Sequence, residues 1–300
     1  MNEIPLLRLS DVRAIRERTS FLLVQTDNVI IQEDRVFIEI EDNPLVAADK
    51  SSRHVFEIEE KVAWRWPAGG TSIILELKDG RQILLAPRRT LNAPTLPYHD
   101  GLGGGLGGSE KEILYPLRVS LREGVEEVII STPSGVVCPS LELDHFGFDL
   151  ELESIVRTGT MLFSQLKDLL IKPEKAELID LPGSKDVHVR WRGRETKCRA
   201  LVCIDKELRG IEILMAVLIK LDCSLDELSI FDGEVFSDNK PANRRVNAYE
   251  LKNLRPTGRI VAAWLEGLPY YVSAEERSKD ASRKLTPALN DILVALGKIR

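Results

Sequence analysis

Between Leu117 and Val128, the apolar residues Leu117, Leu121, Val125 and Val128 recur at helical spacing, while Glu123, Glu126 and Glu127 fall on the other side. At roughly 100° per residue this describes a helix with one face that must be buried and one that gathers carboxylates. Such a helix needs an apolar surface to lie on. The chain supplies one upstream: Ile73 to Lys78 and Gln82 to Ala86 are two β-prone runs joined by Asp79-Gly80, a hairpin signature. Pro116 stands where the helix would begin, a position at which its missing N–H would have had no partner. Three carboxylates at i, i+3 and i+4 can hold a hard divalent cation such as Mg²⁺, which prefers oxygen ligands. The ordinary alternative is a solvated acidic face with no ligand.

The wider segment Gly108 to Ile130 resembles the Nudix box, G-x5-E-x7-R-E-U-x-E-E-x-G-U, where U is a bulky aliphatic residue. Gly108, Arg122, Glu123, Glu126, Glu127 and Ile130 fall in register without a gap. Three positions depart from the pattern: Leu114 stands for the first glutamate, Gly124 for the aliphatic residue and Ile129 for the last glycine. Gly124 either weakens the helix, by about 1 kcal/mol relative to alanine, or permits close packing. The resemblance covers residues 71–130, with a weaker echo over 198–300.

The resemblance implies an α/β/α sandwich with a mixed sheet, and hydrolysis of a pyrophosphate bond in a nucleoside diphosphate linked to another moiety. It implies Mg²⁺ or Mn²⁺ as cofactor. Glu123, Glu126 and Glu127 would be ligands, with the Gly108 carbonyl as a further one, and Arg122 would orient the glutamates through charge-assisted hydrogen bonds. The general base stays open between Glu127 and Glu234, the latter in an Asp-Gly-Glu loop. Arg88 and Arg89 are candidates for pairing with substrate phosphates. The departures at Leu114 and Ile129 leave a second reading, a catalytically silent module that binds nucleotides or protein partners. A third treats the flanking regions as surfaces for assembly.

Three hundred residues exceed one minimal domain. Residues 1–67 read as a β-rich N-terminal unit ending near Pro67-Ala68-Gly69-Gly70, and residues 68–300 as the Nudix-like domain. Within the latter, about 131–196 reads as an insertion that could form a lid, a substrate wall or a homodimer contact. Leu152 to Ile171 has helical spacing closed by Pro173, while Cys198 to Ile204 reads as a strand. Ile211 to Leu221 is a strand or a buried helix, which periodicity alone cannot separate. Ala248 to Leu254 and Arg259 to Leu265 read as short helices, Phe231 to Glu234 as a loop, and Thr286-Pro287 as the start of the last helix.

The net charge of −6 argues against a protein that coats nucleic acid, and a local basic pocket would still suffice for a nucleotide. Four cysteines without a C-x-x-C pair, and no apolar run of membrane-spanning length, suggest a cytoplasmic protein away from the membrane. Gly103-x-Gly105-x-x-Gly108 matches a dinucleotide fingerprint formally, but no strand of a βαβ unit precedes it. A flexible backbone near phosphate, or a purely structural loop, accounts for the tract. His54, His99, His145 and His188 form no metal-binding pair, which disfavours zinc chemistry.

Overall fold

A computed structural model describes residues 6–8, 29–40, 55–58, 61–63, 67–87, 99–100, 104–105, 114–140, 142–143, 148–149, 171–205, 210–232, 246–257, 260–265, 268–272, 284–285 and 287–299. Among them the dominant feature is a mixed sheet of fourteen strands. These are β1 (Val29–Ile31), β2 (Arg35–Ile40), β3 (Ala68–Glu76), β4 (Gln82–Pro87), β5 (Gly104–Gly105), β6 (Val128–Thr132) and β7 (Gly135–Ser140). The remainder are β8 (Ile171–Leu178), β9 (Lys185–Trp191), β10 (Arg194–Asp205), β11 (Gly210–Lys220), β12 (Ser229–Asp232), β13 (Val246–Glu250) and β14 (Arg255–Pro256). Two helices, α1 (Pro116–Glu127) and α2 (Pro287–Ala295), pack on it. Neither is long and apolar enough to cross a membrane, and no other helix among the described residues is.

Strand β11 is the hub. One edge runs parallel to β3, from Glu212 opposite Ala68 to Lys220 opposite Glu76. The other edge is shared: Gly210 to Leu214 pairs antiparallel with β10, and Val217 to Ile219 pairs antiparallel with β8. Three wings leave this strand. Beyond β3 lie β4, β13 and β14; beyond β10 lie β9, β2 and β1; beyond β8 lie β7, β6 and β12. The N-terminal strands β1 and β2 thus belong to the large sheet, with β2 parallel to β9. Strands β6 to β9, from the stretch read as an insertion, belong to it too.

Around β3 and β11 the sheet is covered on both faces. Ile73, Leu75, Ile213, Met215 and Val217 share a core with Leu117 and Leu121 of α1. The intervening residues turn the other way: Ile74 and Leu84 pack with Leu289 and Leu293 of α2, and Leu214 and Ala216 with Ile292. A strand buried on both sides has no polar face, so its sequence reads as a continuous apolar run. The pairing on both edges of β11 resolves its ambiguity in favour of a strand.

The β2–β9–β10 wing follows the opposite rule. Val36, Ile38, Ile40, Val187, Val189, Trp191, Cys198 and Ala200 face the core that includes α1. The alternate positions form three cross-strand rows: Arg35, Asp186 and Arg199; Phe37, His188 and Lys197; Glu39, Arg190 and Glu195. Arg192 (φ 50°) and Gly193 (φ 73°) close the β9–β10 hairpin with the two positive φ values that a tight two-residue turn needs.

Two expected helices are absent. Val246 to Glu250 is strand β13, hydrogen-bonded to β4 and followed by a turn over 251–254, and Ile260–Leu265 pairs with Leu268–Val272. Ala248 is buried in the core that includes α1 and Tyr249 in the one that includes α2, so tertiary pairing overrode a local pattern of helical appearance. Pro173 lies inside β8, which begins at Ile171. Residues 152–170 of the expected helix lie outside the described residues. Residues 55–58 and 61–63 form an antiparallel pair.

Candidate functional site

Helix α1 begins at Pro116, with Tyr115 as N-cap and no side-chain hydrogen bond to the cap, and ends at Glu127. Leu117, Ser120, Leu121 and Gly124 are buried towards the sheet. At helical spacing, positions 123 and 126 fall on the side away from that contact, while 127 falls on its flank, about 20° round the axis from 120. All three lie within the last turn and a half, and the last turn holds no basic residue. This is the negative end of the helix dipole, where each carboxylate costs about 0.3–1 kcal/mol. The helix therefore carries its acids where its own backbone opposes them. A divalent cation would reverse the sign of that interaction, so the chemistry of the donor set fits a hard metal ion.

The three departures from the box acquire physical reasons. Leu114 is 2% exposed and sits in the main core, and its carbonyl accepts a hydrogen bond from the Thr196 hydroxyl of β10. Its side chain supplies packing, and the position offers no carboxylate. Gly124 lies over β3, where an added Cβ would stand 2.5 Å from Thr71 Cγ2 and 3.3 Å from Ile73 Cδ1. Close packing is thus the reason for glycine in the middle of a helix. Ile129 lies in a strand. Val128 ends α1 with extended dihedrals (φ −134°, ψ 122°), its N–H donating to the Gly124 carbonyl, and begins β6 directly. With no loop after the helix, the glycine of the pattern has no turn to make.

A second small-residue contact seats the N-terminal half of the helix. The Ser120 hydroxyl donates to the Pro116 carbonyl at 3.0 Å and lies 3.3 Å from the Ile213 carbonyl of β11. A Cβ on Gly69 would come within 2.5 Å of that hydroxyl oxygen. The sequence reading took Gly69 only as part of a boundary, whereas it lies in strand β3, and passed over Thr71 and Ser120. The one signal was a Gly-Gly pair at the head of an apolar strand, which often marks a close approach of another backbone.

The β6–β12 register sets Val128 opposite Asp232, so the chain leaving β12 starts beside the C-terminal end of α1. Phe231 and Asp232, read from the sequence as loop, belong to that strand. Glu234, two residues further on, lies outside the described residues, as do Gly108, Arg88 and Arg89. Part of the glycine tract is structural: Gly104 and Gly105 pair with Gly69 and Ala68. The side chains of Arg122, Glu123, Glu126 and Glu127 also lie outside what is described, and among the described side chains no group of three or more His, Cys, Asp or Glu is placed to hold a metal. Comparison with family models, with curated proteins and with solved structures gives no match.

Proposed function

We propose that the protein is a Nudix-type pyrophosphohydrolase that uses Mg²⁺ or Mn²⁺ to cleave a nucleoside diphosphate linked to another moiety. The observation that carries this reading is the placement of Glu123, Glu126 and Glu127 at the C-terminal end of a helix lying on a hairpin-fed sheet. Selection for stability alone would place these acids at the other end. Helices on both faces of β3 and β11 fit the family's sandwich.

In this reading Glu123, Glu126 and Glu127 hold the ion, with the Gly108 carbonyl as a further ligand. The bound ion supplies charge neutralisation at the diphosphate and a lowered pKa for the attacking water. Arg122 orients the glutamates, Glu127 or Glu234 takes the proton, and Arg88 and Arg89 pair with substrate phosphates. Leu114 specifically favours a second reading, in which the same site binds a nucleotide without turnover, because a core leucine replaces one carboxylate of the pattern.

The test joins activity to stability. A panel of nucleoside triphosphates, nucleotide sugars, ADP-ribose and dinucleoside polyphosphates is incubated with Mg²⁺, Mn²⁺ or chelator. Metal-dependent turnover lost in Glu127→Gln supports the hydrolase. In chelator, Glu127→Gln should stabilise the fold by about 0.3–1 kcal/mol, since it removes a carboxylate from the negative end of α1. Binding of nucleotide with no turnover on any substrate selects the silent reading. Equal turnover by wild type, Glu126→Gln and Glu127→Gln sinks the proposed site.

A further inference from the structure

Helix α1 rests on β3 at two points where side-chain atoms are missing. A helix rises about 6 Å from Ser120 to Gly124, and a strand advances about 6.6 Å over two residues. The helix therefore tracks the strand, with Ser120 over Gly69 and Gly124 over Thr71. Thr71 is 2% exposed and paired with Met215 of β11, so it has no room to withdraw. Its hydroxyl has no hydrogen-bond partner, so its side chain is held by packing and not by a polar contact. What the threonine presents to the helix is its methyl group.

Alanine is the better helix former at an interior position, so local propensity gives no reason for glycine at 124. The contact gives one. A side chain there must displace the Thr71 methyl group or lift or turn the helix, and Thr71 is packed too closely, with Ile73 beside it, to move at no cost. Position 124 lies beside 123 and one turn before 127, so displacement at this contact shifts the helix backbone at 123, 126 and 127. Ligand sets tolerate errors of only about 0.5 Å before binding suffers.

We propose that Gly124, through its contact with the Thr71 methyl group, is a positioning residue that sets the height of Glu123, Glu126 and Glu127 above the sheet. This rests on the metal-site reading above. Four full-length proteins test it: wild type, Gly124→Ala, Thr71→Ser and the double variant. Each is measured for Mn²⁺ affinity, from the electron paramagnetic resonance signal of free Mn²⁺, and for its melting midpoint.

The expected result is about a tenfold weaker Mn²⁺ affinity in Gly124→Ala, measured well below its midpoint. Thr71→Ser alone should stay near wild type, and the double variant should return to within about threefold, because serine lacks the methyl group that the new Cβ would strike. If Gly124→Ala melts lower yet binds Mn²⁺ as wild type does, the role is only structural and the proposal fails. It fails too if Thr71→Ser does not restore binding. Should Gly124→Ala not fold, the double variant decides: near-wild-type affinity supports the proposal, and lost affinity overturns it. A wild type that binds no Mn²⁺ removes the metal site, and with it the positioning role. The melting midpoints of the four proteins would then still report whether positions 124 and 71 are in steric contact, so the two failures are told apart.

Discussion

The sheet is governed by two regimes. At β3 and β11 both faces are dry, and consecutive residues such as Ile213 and Leu214 are both fully buried. At β2, β9 and β10 one face is dry and the other carries charge. There, burial alternates from Val187 and Val189 to their exposed or half-buried neighbours. A helix on each side makes the first region; solvent on one side makes the second. The difference shows where function can sit at low cost to the fold. The α1 end of the dry region holds the candidate site, while the wet face is occupied by groups that largely satisfy one another. Lys197 Nζ lies 2.7 Å from Asp186 Oδ2, Arg190 Nη2 lies 3.1 Å from Glu195 Oε2, and His188 Nδ1 lies 2.9 Å from Glu195 Oε1.

The sharpest way to break this contrast is a pair of neighbouring truncations in each region, followed by urea denaturation. Ile213→Ala and Leu214→Ala should each cost about 2–5 kcal/mol, because both face a packed core. In the wing, Val189→Ala should cost about 2 kcal/mol for its lost burial. The next residue, Arg190→Ala, should cost far less than Val189→Ala, because its ion pairs with Glu39 and Glu195 are exposed. A large loss at Arg190, or a small one at either β11 position, would mean that coverage is misassigned.

Acid titration sharpens the border of the dry region. Glu227, in the turn after β11, accepts from the Ser224 backbone N–H and hydroxyl, each at 2.8 Å, and from Lys78 Nζ at 3.2 Å. The Ser224 backbone bond foremost, then the Ser224 hydroxyl and Lys78, hold its carboxyl down to about 2. A depressed folded-state pKa contributes stability that is present above the ordinary glutamate range and lost as pH falls towards about 2. Glu227→Gln should therefore lower stability at pH 7, where the contribution is complete, and flatten the acid limb of the stability curve, the two proteins converging as pH falls towards about 2. An unchanged acid limb would show that the turn does not hold the carboxylate.

The mildest probe is chemical. Burial foremost, with a lesser contribution from the Asp186 carboxylate, pushes the Cys198 thiol up to about 12. With the wing closed, iodoacetamide at pH 8 should leave Cys198 unmodified in native protein and alkylate it in urea, as peptide mass mapping would read. Rapid labelling without denaturant would mean that the inner face of β10 opens readily.

Legibility in the sequence follows the same division. Val36-Phe37-Ile38-Glu39-Ile40 declares its alternation, and the Ile73 and Gln82 runs declare a hairpin. Ile211 to Leu221 hides its identity because a strand covered on both faces has lost the polar phase that would distinguish it from a helix. Strand β3 begins with Ala68, Gly69 and Gly70, residues of little intrinsic strand preference. Pairing with β11 and the close approach of α1 make them a strand, and both partners are distant in sequence. At the site, the box register and Pro116 were enough to place the helix. They did not reveal that Leu114 is a core residue, that Thr71 lies under Gly124, or that Asp232 stands opposite Val128. Each of these depends on a contact between residues far apart along the chain.

The passage from α1 into β6 has a mechanical consequence. Val128 is at once the cap of the helix and the first residue of the strand, so there is no slack at the joint. Hinges work by spending a few free backbone torsions, and here none is available. The β6–β7–β12 wing and the last turn of α1 are in effect one lever: whatever pushes on the wing moves positions 126 and 127 with it.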